Sequence, residues 1–231
     1  MDVRFSVMYI TVNDEHDPTD IFMSAAAPSP ADSRREGRRL AIIEAAESLF
    51  LERGYERTSL AAIIERSGGS LATVYELFGN KQGLLRAVVE GQKHQSGIDL
   101  CRMEDAADSG VGTAGLLMRY AHELYEHMMQ PRVIELMRVI IIESMRDPEF
   151  ARAFHQDFHV PVVQEMADIF ARWTREGRAD IDRPEAAAEL FLAMIISDAQ
   201  LRAMTAIAPP PLVEAGLDWR LAPFLGHFRF R

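Results

Sequence analysis

The chain has 231 residues, 48% of them hydrophobic, and a net charge of −10. That composition can bury a sizeable core and excludes a globally disordered chain, while no apolar run approaches the roughly 18 residues of a bilayer span, so a soluble protein with no membrane partner is expected. The one cysteine, Cys101, excludes an internal disulfide framework and a multi-cysteine zinc site, and points to a reducing cytoplasm.

Residues 1–33 carry one base and six acids, lack helical periodicity and become Pro-rich after Ala25, which predicts a flexible tail. They have none of the basic start, apolar centre and small-residue cleavage site of a secretory signal. Met23 opens a stretch of small residues, and we expect the native start there, with residues 1–22 an upstream extension; the intact mass of protein from the native host checks this. Residues 34–81, with eight bases against seven acids, are the least acidic segment, and four arginines, Arg34, Arg35, Arg38 and Arg39, stand at its front. Such a segment can touch phosphates while an acidic body limits non-specific adhesion.

From Arg38 onward the apolar period is helical. Leu40, Ile43, Ala46, Leu49 and Phe50 mark one amphipathic face, and Gly54 stops the helix. Thr58 and Ser59 are both available as N-caps for the next helix, whose face is Leu60, Ile63 and Ile64. Gly68-Gly69-Ser70 breaks it, Leu71 to about Phe78 forms a short helix, Gly79-Asn80 ends that, and Lys81 opens a longer one through Val89. Further helices are predicted over Leu116 to Met129, Pro131 to Arg146, a short one from Asp147-Pro148-Glu149, one from Pro161 to Glu176, Pro184 to about Ala206, and Leu212 to His227. No period-two Val/Ile/Thr run follows residue 33, so the expected fold class is all-α: a three-helix helix-turn-helix domain over 34–85 and a larger helical domain over 86–231.

Helix, short glycine-containing turn and short helix over 58–78 is helix-turn-helix spacing, in which the second helix enters the major groove. Packing alone does not call for Thr73, Tyr75 and Lys81 at outward positions. The order Ile43-x-x-Ala46, Leu49-Phe50-x-x-Arg53-Gly54-Tyr55-x-x-Thr58-Ser59, Ile63-Ile64, Ser67-Gly68, Thr73-Val74-Tyr75-x-x-Phe78-Gly79-Asn80-Lys81 and Leu84-Leu85 resembles the N-terminal domain of the TetR/AcrR family of regulators. The resemblance implies that Ser70, Leu71, Ala72 and Thr73 begin the recognition helix, that Thr73 and Tyr75 approach the DNA, and that Lys81 meets phosphate; Arg38 and Ser59 join them as backbone contacts. Leu71 and Glu76 depart from the family's usual residue types. A carboxylate at 76 is repelled by phosphates unless it accepts from cytosine, so Glu76 either reads a cytosine or turns to Arg66 or solvent.

Over Pro131 to Asp198 the chain is similar to the C-terminal domain of the AefR-like subgroup, through Arg138 to Ser144, Pro148 to Phe154 and Gly177 to Ala188. The resemblance implies a ligand-binding and dimerising body. Met118, His122, Met137, Arg138, Phe154, Phe158, Met166, Phe170 and Trp173 are the candidate pocket for a small apolar or amphipathic ligand, although each Met or aromatic residue taken singly suits an ordinary core better and Arg138 suits exposed surface charge as well. Leu190, Met194, Leu201, Leu217, Leu221 and Phe224 on the last two helices are the candidate homodimer interface. The expected partners are therefore a palindromic double-stranded DNA operator, a small-molecule inducer and a second copy, with no cofactor. An activator of the same fold is the alternative. His155 and His159, at i and i+4, would give a helical metal-dependent enzyme its first two ligands, but no third ligand and no phosphate loop or nucleophile elbow accompany them, so no metal and no catalytic residue are assigned.

Overall fold

A computed structural model describes residues 30–107, 111–205 and 214–231; the expected native start at Met23 and most of the expected tail, residues 1–29, lie outside the described residues. The described residues form helices α1 (Pro30–Arg53), α2 (Leu60–Ser67), α3 (Leu71–Phe78), α4 (Lys81–Ser96), α5 (Leu100–Asp105), α6 (Thr113–Met128), α7 (Pro131–Arg146), α8 (Pro148–Phe154), α9 (Val160–Arg175), α10 (Pro184–Thr205) and α11 (Glu214–His227). The all-α expectation holds. α1 begins eight residues before the expected Arg38, so its first turns reach into the stretch read as tail. α5 is not marked by any periodic signal: its six residues are a turn and a half, started by Asp99, whose carboxylate accepts from Arg102 N.

α8 and α9 were expected as separate helices, with Pro161 starting the second. Instead the wide turn His155–His159 joins them without leaving helical backbone. Val160 N donates to His155 O, five residues back. The proline explains the local form: Pro161 has no N–H, and its ring crowds the carbonyl of residue 157, so the chain widens by one residue per turn where an α-turn would clash.

Two large cores and one small one organise the packing. The first is built from Ile42, Ala46, Leu49, Phe50, Ile63, Val74, Leu84, Leu85 and Val88 of α1–α4, and takes in Leu136 and Phe150 from α7 and α8. Tyr55, Phe150, Phe154 and Phe158 continue it as a ladder of rings 5.1–6.1 Å apart. The expected boundary at residue 85 thus falls inside α4, a continuous helix whose Ala87, Val88 and Val89 still belong to this core. The second core joins α5, α6, α9, α10 and α11 around Phe170, Trp173, Phe191, Leu221 and Phe224. The terminal Phe228 to Arg231 closes it: Phe230 packs edge-on to Trp173 at 6.0 Å, and Thr113 Oγ1 bonds to the Arg231 backbone. A small third cluster, Ile134, Ala199 and Ala203, lies between α7 and α10.

Candidate nucleic-acid interface

α2, the turn and α3 are held at their ends by side chains that the sequence makes available. Ser59 caps α2 by accepting from Ala62 N at 3.1 Å. Thr58, the other candidate cap, is buried and instead donates to Leu49 O and Gly54 O, tying the α1–α2 turn to α1. Gly69 carries a φ of +108°, a conformation that favours glycine, and the Arg38 guanidinium lies across the turn, 3.3 Å from where a Cβ would sit. Ser70 accepts from Thr73 N at 3.2 Å and shares a hydroxyl–hydroxyl bond of 2.9 Å with Thr73.

These caps leave one side of α3 outward. Val74 is fully buried and fixes the helix on the first core; Leu71, Ala72, Tyr75 and Glu76 are exposed and Thr73 half-buried. Leu71 and Tyr75 are 46% and 52% exposed and stand together with Ala72 on the outward side of the helix, where they are available to a partner. A Cβ on Gly83 would fall on the Phe78 carbonyl, so the glycine lets the end of α3 close onto α4.

Glu76 turns neither to Arg66 nor to solvent alone: its carboxylate accepts from Arg35 of α1 at 3.1 Å, in a pair 65% and 67% exposed. Arg66 is engaged elsewhere, donating to Glu52 at 2.6 Å and 2.9 Å and to Ser48 at 2.8 Å. Hydrogen bonding from Arg66 holds the Glu52 carboxyl down at about 2. Lys81 lies over the Tyr55 ring, 4.2 Å from its centroid, and its ammonium donates to Glu56 O at 3.3 Å. Burial lowers its pKa, opposed by Glu56 and Glu143. Lys81 is therefore partly a strut between α4 and the α1–α2 turn. Arg35, one of the four arginines at the front of this segment, is tied to this face through Glu76, a pairing that the sequence reading did not make because the two lie 41 positions apart.

The nine candidate pocket residues do not line one cavity among the described residues. Met166, Phe170 and Trp173 are filled core with Met118 packed against them. Phe154 and Phe158 belong to the aromatic ladder on the first core, and Met137 packs on the third cluster. His122 Nε2 lies 2.7 Å from Asp218, and Arg138 pairs with Glu135 at 2.7 Å while donating to Ala203 O. Of the nine, Phe154 borders a small space beside Asn80, Gln82, Arg86 and Asp157; a larger polar groove of about 380 Å³ is bounded by Gln92, Gln95 and Ser96 of α4 with Ile98 just after it, and by Glu123, Glu126 and His127 of α6 with Gln130 just after it.

The candidate interface residues divide too. Leu217, Leu221 and Phe224 are at most 4% exposed and fill the chain's own second core, so they cannot face a partner. Leu190 and Leu201 are outward and Met194 half-buried. With Ala193, Ser197 and Met204 they make one stripe along α10, and Trp219, 79% exposed, stands with Ala222, Pro223 and Gly226 on the outer side of α11. Trp219 and Met204 were missed because the apolar period of α10 and α11 runs nearly all round both helices, and period alone does not say which side is inward. His155 and His159 stack at 5.1 Å on the exposed wide turn, and their neighbour Asp157 is taken by Arg86 at 2.6 Å. Among the described residues no group of three or more His, Cys, Asp or Glu could hold a metal ion, and none of the helices is long and apolar enough to cross a membrane.

Residues 42–88 match the family model for bacterial regulatory proteins of the tetR family, and residues 115–217 match that for the C-terminal domain of AefR-like transcriptional repressors. The HTH-type transcriptional regulator TtgR of Pseudomonas putida is 34% identical over 152 residues, which cover 63% of this chain and 71% of TtgR. The repressor AcnR of Corynebacterium efficiens is 28% identical over 193 residues, 82% of this chain and 92% of AcnR. The repressor ComR of Escherichia coli reaches 46% identity, but over 52 residues that span a quarter of ComR. A TetR-family regulator from Mesorhizobium loti superimposes with a TM-score of 0.69 at 25% identity, covering 84% of this chain and 98% of that structure.

Proposed function

The chain belongs to the TetR family and is a DNA-binding transcription regulator, and from that premise we propose that it acts as a homodimeric repressor of a palindromic operator, released by a small-molecule effector bound in the C-terminal body. The observation that carries the proposal is the outward side of α3, where a Ser70-capped helix presents Leu71, Ala72 and Tyr75. In the proposed complex the first turn of α3 lies in the major groove. Leu71 meets a thymine methyl, the Tyr75 and Thr73 hydroxyls bond to phosphate or base edges, and Arg38 and Lys81 flank them with positive charge. Ser59 and Ser70 act mainly by fixing the helix ends and only then by proximity to phosphate.

Repression is favoured over activation by the relatives' printed roles, since AcnR and ComR are repressors; where the operator lies relative to a promoter separates the two. The dimer would join along the α10 stripe and Trp219, two such faces forming a two-fold helical bundle. An effector that binds better to a dimer with a different separation of its two α3 helices would release DNA by that difference in affinity. A regulator of this kind acts in the cytoplasm, in keeping with the lone exposed cysteine, Cys101.

Selection of bound DNA from a random pool, with full-length protein at physiological salt, tests the reading. Enrichment of one palindrome, lost in a folded Tyr75→Ala/Lys81→Ala variant, is the expected result. A folded protein that enriches no sequence would remove the operator-binding proposal.

A further inference from the structure

The groove of about 380 Å³ between α4 and α6 is open to solvent, with Gln95, Glu123, Glu126 and Gln130 exposed on its rim and Gln92 buried in its wall, and it has a chemistry of its own. It falls within the size range of small-molecule sites, yet Ile98 is the one aliphatic residue among the eight that bound it, so an apolar ligand would leave its amides and carboxylates unsatisfied. Glu123 and Glu126 stand at i and i+3 on α6, and neither has a cationic partner among the described residues. The groove lies beside the last turns of both α4 and α6, where the carbonyl ends of two helices add negative potential to the two carboxylates. His127, at the same end of α6, has its pKa lowered by burial and so stays neutral rather than opposing a cation.

One wall is built into the packing between the DNA-binding helices and the body. Gln92 is only 9% exposed, lines this space, and donates from Nε2 to Glu47 Oε1 at 3.0 Å. Glu47 of α1 is 2% exposed, and the same oxygen accepts from Arg132 Nε of α7. The Gln92–Glu47–Arg132 bridge thus joins α4, α1 and α7 immediately beside the groove.

We propose that this groove is the effector site for a small organic cation, an amine or guanidinium neutralised by Glu123 and Glu126 and hydrogen-bonded by the Gln92, Gln95 and Gln130 amides. This rests on the reading that the body takes an effector, and it specifies its chemical class. A ligand hydrogen-bonded to Gln92 alters the side chain that holds Glu47, and so is felt at α1, the helix against which α2 and α3 are docked.

Calorimetric titration of the full-length protein, without DNA, with agmatine, cadaverine and putrescine at physiological salt tests it. At least one of these should bind saturably, and a neutral diol of cadaverine's length should not. Glu123→Gln/Glu126→Gln should weaken binding about tenfold or more, the scale of one lost charge-assisted hydrogen bond. Asp182→Asn/Glu185→Gln, which removes the same charge from an exposed part of the body, should leave it within about twofold. In a second measurement the bound cation should lower operator affinity for the wild type and not for the Glu123→Gln/Glu126→Gln protein. No saturable heat up to about 10 mM of any of the three cations, or equal loss in both double variants, overturns the site. Unchanged operator affinity despite binding overturns its role as effector. Because the titration contains no DNA, a failed operator selection and a failed cation site are told apart.

Discussion

Glu76 stands on the exposed side of α3 with its carboxylate bonded to Arg35 of α1. Its place on the exposed side of α3 follows from the helical period, and its conflict with DNA phosphates follows from its charge. That it would pair with Arg35 does not follow, since the contact depends on how α1 crosses α3. An ion pair this exposed contributes at most about 1 kcal/mol, so Glu76→Gln should leave thermal stability nearly unchanged. It should release Arg35 for phosphate contact. We expect tighter operator binding, a salt dependence steeper by about one phosphate contact, and an unchanged selected sequence. Loss of preference at a single cytosine position instead would mean that Glu76 leaves Arg35 and reads a base in the complex. Ser59 is legible in the sequence as a cap beside Thr58, whereas Ser70 reads there only as the start of the recognition helix, although it too stands one residue before an apolar helical face and its cap bond spans three positions, within reach of local pattern.

At the scale of elements, sequence signals marked where helices start and stop but not where two of them merge. Glycines 54, 68 and 79 end helices as expected, and Pro131 and Pro184 begin them. Pro161 carries the same local signal as Pro131, yet it sits inside a continuous helical path because a wide turn absorbs it. That choice depends on Phe154 and Phe158 docking on the first core and on Arg86 holding Asp157, all distant in sequence. The recognition helix offers a test of whether its N-terminus acts as a structural cap beside DNA. Ser70→Ala removes the bond to Thr73 N and should destabilise the fold by about 1 kcal/mol. Ser70→Asp restores a capping acceptor and should hold wild-type stability, yet it places a carboxylate where the operator backbone is proposed to lie. Melting curves and operator titrations together should therefore separate: the Ala variant unstable and weakened, the Asp variant stable and far more weakened. An Asp variant that binds operator as wild type does would remove α3's first turn from the interface.

For the whole molecule, the difficulty lies in assigning apolar side chains to the inside of one chain or to the seam between two. Leu217, Leu221 and Phe224 read as partner contacts because α11 is apolar on most sides, and tertiary packing claims them for the second core. The nine pocket candidates were dispersed for a related reason: Met and aromatic residues identify apolar surroundings, not empty ones, so three separate clusters absorbed seven of them, while His122 and Arg138 went to polar pairs with Asp218 and Glu135. What is left outward after both cores are filled is the better guide to association. Trp219 and Leu201 are 79% and 51% exposed, so replacing them with glutamate removes little intrachain packing, whereas Leu221→Ala opens a cavity and should cost about 2–5 kcal/mol. We therefore expect Leu201→Glu/Trp219→Glu to keep the wild-type circular dichroism spectrum and to sediment as a monomer. A monomer engages one half-site at a time, so operator affinity should fall about a hundredfold or more even though α3 is untouched. Sedimentation velocity across a concentration series decides it: a double variant that remains dimeric would place the two-fold seam away from α10 and α11, and would leave the exposed tryptophan to be explained by some other contact.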